Sequence, residues 1–337
     1  MDRDGGPAVE QQQRSEAVDL PLVLSQLDAT DPETRRDAVR RVRDGVDEEP
    51  CTYMPTVPKL RELLSDPGFE LREAVAYSLA ELAAEAPSDV APSADAIVAA
   101  AADDQESPTA GELLRCLAAV TEERPTAVVE HVPAIVDLTE ARDGDVHGIR
   151  TMAHVARARP DALEPALSLL TETVAPEPDD GAVAALSVLG RLGRSTAELS
   201  SLVFLDHAVE LADREDAELR RNAVGCLADV AHRHPERVEP ACPRLRSALE
   251  SGDPETRANA AVTFGRVAAV EPSVVEPVRS QLLALLEDDH RYVRASACTA
   301  LGHGDVTEAR ERLSTLATGD PEPTVRDRAA WACGELS

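Results

Sequence analysis

Aromatic residues are scarce: Phe, Tyr and Trp together make up 2% of 337 residues, and Trp331 is the single tryptophan. Hydrophobic residues still reach 43%, so the core has to be assembled from Ala, Val and Leu, a palette suited to closely approaching helices. Lysine is missing except for Lys59, which leaves arginine to carry the positive charge. The six cysteines (Cys51, Cys116, Cys226, Cys242, Cys298, Cys333) form no C-x-x-C pair and no disulfide-framework spacing. They read as reduced, small core residues, and no metal is expected on them. No run of about 18 apolar residues is present, so no membrane-spanning helix is expected. The first residues, MDRDGGPAVEQQQRSE, lack the apolar stretch of a secretory signal. Residues 1–17 read as a flexible tail, 18–337 as one folded unit, and the expected location is cytoplasmic.

Catalytic signatures are missing too. There is no G-x-x-x-x-G-K-[ST] phosphate loop and no G-x-S-x-G nucleophile elbow. His232 and His234 stand two apart on a helical stretch, so their side chains diverge instead of clasping one metal. They suit the negative end of a helix better. No cofactor is expected, and the chain reads as non-catalytic.

Acid is in excess. Asp and Glu number 63 against 34 Lys and Arg, a net charge of −29. Such a balance with few aromatics can mean disorder, but the regular apolar spacing described next argues against that. It fits a salt-rich cytoplasm, where the Debye length is about 3 Å at 1 M and an acidic surface barely repels itself. A halophilic origin is the expectation.

The chain repeats itself. DPETRRDAVRRV, ELRRNAVGCL, DPETRANAAVTF, RYVRASACTAL and PTVRDRAAWAC share an arginine with apolar residues three and seven positions later. The seventh position defines a register of Val42, Leu79, Leu117, Met152, Leu189, Leu227, Phe264, Leu301 and Cys333, with gaps of 37, 38, 35, 37, 38, 37, 37 and 32. Each unit holds two helical segments. The second, B, starts with Asp-Pro at Asp31, Asp253 and Asp320, where Asp accepts free first-turn N–H groups and Pro suits the first helical position. Many B segments end just before a proline, as at Pro87, Pro125, Pro160, Pro235 and Pro272. The first segment, A, is clearest in the stripe Val278, Leu282, Leu285, Leu286. Neither stripe can be buried alone, so neighbouring units must stack. The expected fold is all-α: about nine helical hairpins, some eighteen helices, in one continuous solenoid.

The period and the Asp-Pro-x-x-Arg turn resemble HEAT repeats over roughly residues 18–337. The resemblance is to adaptin- and phycobilin-lyase-like HEAT repeats, and the shortened last unit is closer to the short repeats of the phycobilin lyases. The resemblance implies that the turn Asp and Arg form a ladder between repeats, making Arg35, Arg72, Arg220, Arg257, Arg294 and Arg326 structural. Units three to five depart from the pattern, with Ala110, Asp145 and Ala182 in the arginine position, which makes the middle a candidate bend. Enzymes exist on this scaffold. Deoxyhypusine hydroxylases of the HEAT type bind iron through His-Glu dipeptides, and none of the eight histidines here precedes a Glu. HEAT-like DNA glycosylases use a basic, aromatic concave face, which makes nucleic acid an unlikely partner for this acidic chain. The runner-up reading is nonetheless a lyase- or glycosylase-like enzyme on the HEAT frame.

The resemblance also places the B helices on the concave face, where extended partners lie. Counting from the turn arginine, position +5 should face solvent. That column reads Arg40, Tyr77, Arg115, Arg150, Ser187, Gly225, Val262, Thr299, Trp331. Arg40, Tyr77, Arg115 and Arg150, with Arg36 beside them and Arg41 and Arg43 near, are the candidate binding residues for an acidic protein or peptide segment. The bland alternative is an ordinary helix surface of arginines paired with nearby Glu. Position +8 is Ala or Gly in eight of nine units, which reads as close approach between B helices. The function expected is a protein–protein interaction scaffold.

Overall fold

The computed structural model describes residues 18–66, 68–175, 180–195 and 199–336. The tail expected over residues 1–17 lies outside them. Helices are the only regular structure among the described residues, and they pair into nine hairpins. The B helices run Pro32–Val46, Arg72–Glu85, Pro108–Glu123, Val146–Ala158, Ala182–Ser195, Ala217–Val230, Pro254–Ala268, Arg291–His303 and Pro323–Glu335. Each packs on the next, so the B helices form one layer and the A segments another, with the core between them. Eight of the nine register residues are buried, and Cys333 in the last helix is half-buried.

Side-chain caps explain where B helices begin. Asp31 and Asp253 each accept the Thr N–H three residues on at 2.9 Å, with Pro next in sequence as first helical residue. Ser107, Asp145 and Asp216 cap hairpins three, four and six in the same manner. A cap of this kind contributes about 1 kcal/mol. Asp320 departs from the expectation. Its helix starts later, at Pro323, because the Asp320 carboxylate is held by Arg294 and by the Glu322 N–H.

Most A segments are not single helices; those of hairpins one and six, Leu20–Leu27 and Phe204–Leu211, are the exceptions. Prolines recur five apart at Pro50/Pro55, Pro87/Pro92, Pro160/Pro165, Pro235/Pro240 and Pro272/Pro277. The second proline lacks an N–H and crowds the preceding turn. The chain therefore passes through tighter 3₁₀ turns, such as Met54–Thr56 between Pro50–Tyr53 and Val57–Leu64. In hairpin eight the 3₁₀ stretch extends over Pro272–Val278.

Small residues at +8 let B helices touch through backbone. A Cβ on Gly190 would lie 3.0 Å from the Cys226 Cα, and one on Gly302 would lie 3.0 Å from the Ala332 Cβ.

The turn ladder forms completely only near the C-terminal end. Arg257 clasps Asp288 through Nε and Nη2 at 2.8 and 3.0 Å while its Nη1 binds the Ser251 and Gly252 carbonyls. Arg294 repeats this with Asp320 at 2.8 and 3.0 Å and the carbonyls of Asp288 and Asp289. Arg326 binds the Asp320 and Pro321 carbonyls, and Arg220 those of Arg214 and Glu215. Arg72 reaches forward to Asp103 at 3.1 Å. The Arg35 Nε is buried without a hydrogen-bond partner, as is that of Arg72. In the irregular middle, Arg142 reaches backward to fill the place of the arginine missing at Ala110. Its Nη1 binds the carbonyls of Gln105 and Ser107 at 3.3 and 2.8 Å, and its Nε binds Asp145 at 3.2 Å. Gly111 makes this possible: a Cβ there would lie 2.5 Å from Arg142 Nη2.

Candidate partner-binding face

The +5 column runs along the seams between successive B helices. Close packing through the small +8 residues leaves most of the column half-buried instead of open to solvent, and only Arg40 and Arg150 are exposed. This corrects the expectation of a solvent-facing stripe.

In hairpins one to three the stripe closes into a cluster. Tyr77 lies between two guanidinium groups, Arg43 and Arg115, each 5.3 Å from its ring centre. Its hydroxyl donates to Asp47 at 2.7 Å, and that bond to an anion, with burial next, pushes the phenol pKa up. Arg115 is pinned by Glu81 and Glu112, each at 2.7 Å. Arg36 pairs with Glu70 at 2.6 Å and Arg40 with Asp37 at 2.8 Å. Arg41 turns away to the Gln26 amide at 2.7 Å and does not join the cluster. A cavity of about 330 Å³ opens here between Arg40, Arg43, Glu73, Tyr77 and Glu112. Arg150 stands one hairpin further along and has no ion pair among the described residues.

Such a surface can hold a carboxylate-bearing group on the arginine edges beside Tyr77, through contacts that survive salt because they are short and directional. The carboxylates Glu70, Glu73 and Glu112 temper its charge. At its other end the same column, through Val262, Thr299 and the neighbourhood of Trp331, borders a second groove that the sequence reading passed over. The signal was present in Arg266, Tyr292 and Arg328, but it is spread over three hairpins.

Among the described residues no helix is long and apolar enough to cross a membrane.

The pattern of HEAT repeats matches residues 279–337. That is the stretch in which the Arg294–Asp320 rung is complete. Among solved structures, an engineered protein is similar at 20% identity over 93% of this chain and 87% of its own, with a TM-score of 0.80. A designed armadillo repeat protein is similar at 17% identity over 61% of this chain and 100% of its own, with a TM-score of 0.54. At these identities the likeness is one of fold. No curated protein matches the chain. The class is thus the helical-repeat solenoid. Within that class the comparisons support a HEAT-repeat protein, most clearly in its last two hairpins.

Proposed function

We propose that this protein is a non-catalytic scaffold of a salt-rich cytoplasm, binding an acidic or aromatic partner segment along its B-helix face through Arg36, Arg40, Tyr77, Arg115 and Arg150. The observation that carries the reading is the Arg43–Tyr77–Arg115 stack, with unpaired Arg150 next along the same face. Packed helices stand about 8–10 Å apart, so four successive B helices span roughly 30 Å, room for an extended peptide of about nine residues. Bidentate arginine contacts suit a medium in which long-range attraction is screened.

The test begins with affinity capture in molar KCl and identification of the bound protein by mass spectrometry. Arg115 and Arg150 are then changed together to Ala. Loss of the part-buried Arg115 ion pairs costs the fold about 1 kcal/mol, the upper end for surface pairs, while binding should weaken at least tenfold, about 1.4 kcal/mol. A well-folded double variant that binds its partner normally overturns the assignment of the stripe.

A further inference from the structure

Two of the four exposed large hydrophobic residues among the described ones stand at one place: Val270, 58% exposed, and Tyr292, 52% exposed. They border a groove of about 460 Å³ along the seam between the B helices of hairpins seven and eight. Its floor is Val262, Gly265 and Ala295. Its ionisable lining is His232, Arg266, His303 and Arg328, with no carboxylate. In a chain where Asp and Glu outnumber Lys and Arg 63 to 34, a groove lined by bases alone runs against the composition. The nearest anion to Arg266 in an ion pair is Asp229 at 3.9 Å, and Arg266 spends its Nη1 on the Ala228 carbonyl. Arg328 is exposed and has no ion pair among the described residues. The Arg291 guanidinium lies over the Tyr292 ring, 4.9 Å from its centre.

We infer that this seam is a second docking site, taking an acidic peptide segment that carries an aliphatic side chain. The apolar floor receives the side chain, with Val270 and Tyr292 as its walls. Arg328 and Arg266 meet flanking carboxylates, and charge complementarity selects an acidic segment over a basic one. The site shares no residue with the N-terminal stripe, so either can fail while the other stands.

Trp331 gives a built-in reporter. It packs edge-on against His303, a wall of the groove, with centroids 4.7 Å apart, and it is the single tryptophan of the chain. The probe is a synthetic nonapeptide of aspartates around a central Leu-Leu pair, titrated into the full chain in the lowest KCl that keeps the helical signal. Controls replace Leu-Leu by Ser-Ser, or the aspartates by lysines. A saturable change in Trp331 emission is expected for the first peptide, at least fivefold weaker for either control. Arg328→Glu and Tyr292→Ser should each weaken binding at least fivefold, whereas Arg244→Ala, an exposed arginine in the A layer of hairpin seven, should leave it unchanged. If Arg328→Glu disturbs the circular dichroism, Arg328→Gln serves instead. No saturable change up to millimolar peptide, or equal binding by the variants, overturns the proposal. So does sedimentation showing that the chain self-associates through this seam and that Val270→Asp separates it, since the occupant is then a second copy.

Discussion

Removing the Asp320 carboxylate should loosen the C-terminal end of the array and leave the rest standing. Asp320 is 3% exposed and Arg294 11%, and they are joined by two hydrogen bonds of 2.8 and 3.0 Å. Asp320 also accepts the Glu322 N–H at 2.9 Å. Taking one partner from a buried pair costs about 3–5 kcal/mol, because the other charge is left desolvated. Arg294 keeps two carbonyl acceptors, those of Asp288 and Asp289, so the low end, about 3 kcal/mol, applies to Asp320→Ala. In a stacked array that loss falls mainly on one interface, between hairpins eight and nine. Trp331 lies in the last helix and reports on that interface, while far-ultraviolet circular dichroism reports on all nine hairpins. With a urea slope of about 1–3 kcal/mol per M, the Trp331 midpoint should fall by about 1–3 M and the dichroism midpoint far less. Arg294→Met should cost a comparable amount, and the double variant clearly less than the sum, a coupling of about 1–3 kcal/mol. A Trp331 midpoint within about 0.3 M of the parent, or strict additivity, would show that the rung contributes nothing.

Glycine in the B layer should divide by contact. Gly190→Ala puts a Cβ 3.0 Å from the Cys226 Cα and should destabilise by about 1–3 kcal/mol, although Ala is the better helix former. Gly334→Ala meets nothing within 4 Å and should be neutral or stabilising by up to about 1 kcal/mol; urea titration distinguishes the two. The acid limb of stability should depend on Asp320, whose carboxyl is held below its ordinary 3.8 mainly by the hydrogen bonds from Arg294. A lowered folded-state pKa contributes stability in full above the ordinary value and loses it as pH falls through the lowered one, so Asp320→Asn should flatten unfolding below about pH 4 when Trp331 emission is followed against pH. With a net charge of −29, the thermal midpoint should rise as KCl goes from 0.1 M towards molar levels. A flat or falling midpoint would remove the case for a saline habitat.

The hairpins were legible because eight of the nine units bury the same two positions and the last buries one of them. Three residues after the turn arginine the chain has Ala38, Val75, Leu113, Gly148, Ala185, Ala223, Ala260, Ala297 and Ala329, all buried. Repetition of one packing problem across the chain leaves a signal that no single helix would. The breaks in the A segments were also legible, though unread, in prolines five apart: the second of each pair sits where a helix interior needs an N–H. The compensation by Arg142 was not. It depends on a side chain from one hairpin entering the turn of the previous one, and on Gly111 leaving room for it, a relation between positions that no local pattern expresses.

The binding face shows the same limit more sharply, because an arginine in an acidic chain is either a free hand or an occupied one, and sequence neighbours do not decide which. Arg115 has Glu112 one turn away, which a helix-surface reading supplies, but its other clasp, Glu81, comes from the preceding hairpin 34 residues back. Arg36 is likewise engaged by Glu70 from 34 residues ahead, and Tyr77 by Asp47 from 30 residues back. These separations are close to one repeat, so the ladder that stacks the hairpins also pairs their surface charges. A column read down the sequence as a positive stripe is therefore, in space, a row of largely satisfied pairs. Partner contacts must either exchange those pairs or use what is left over. Within the column what is left over is Arg150, and beyond it Arg328 stands beside the carboxylate-free seam, so a segment gripping the B face with short arginine contacts gains by reaching either of them.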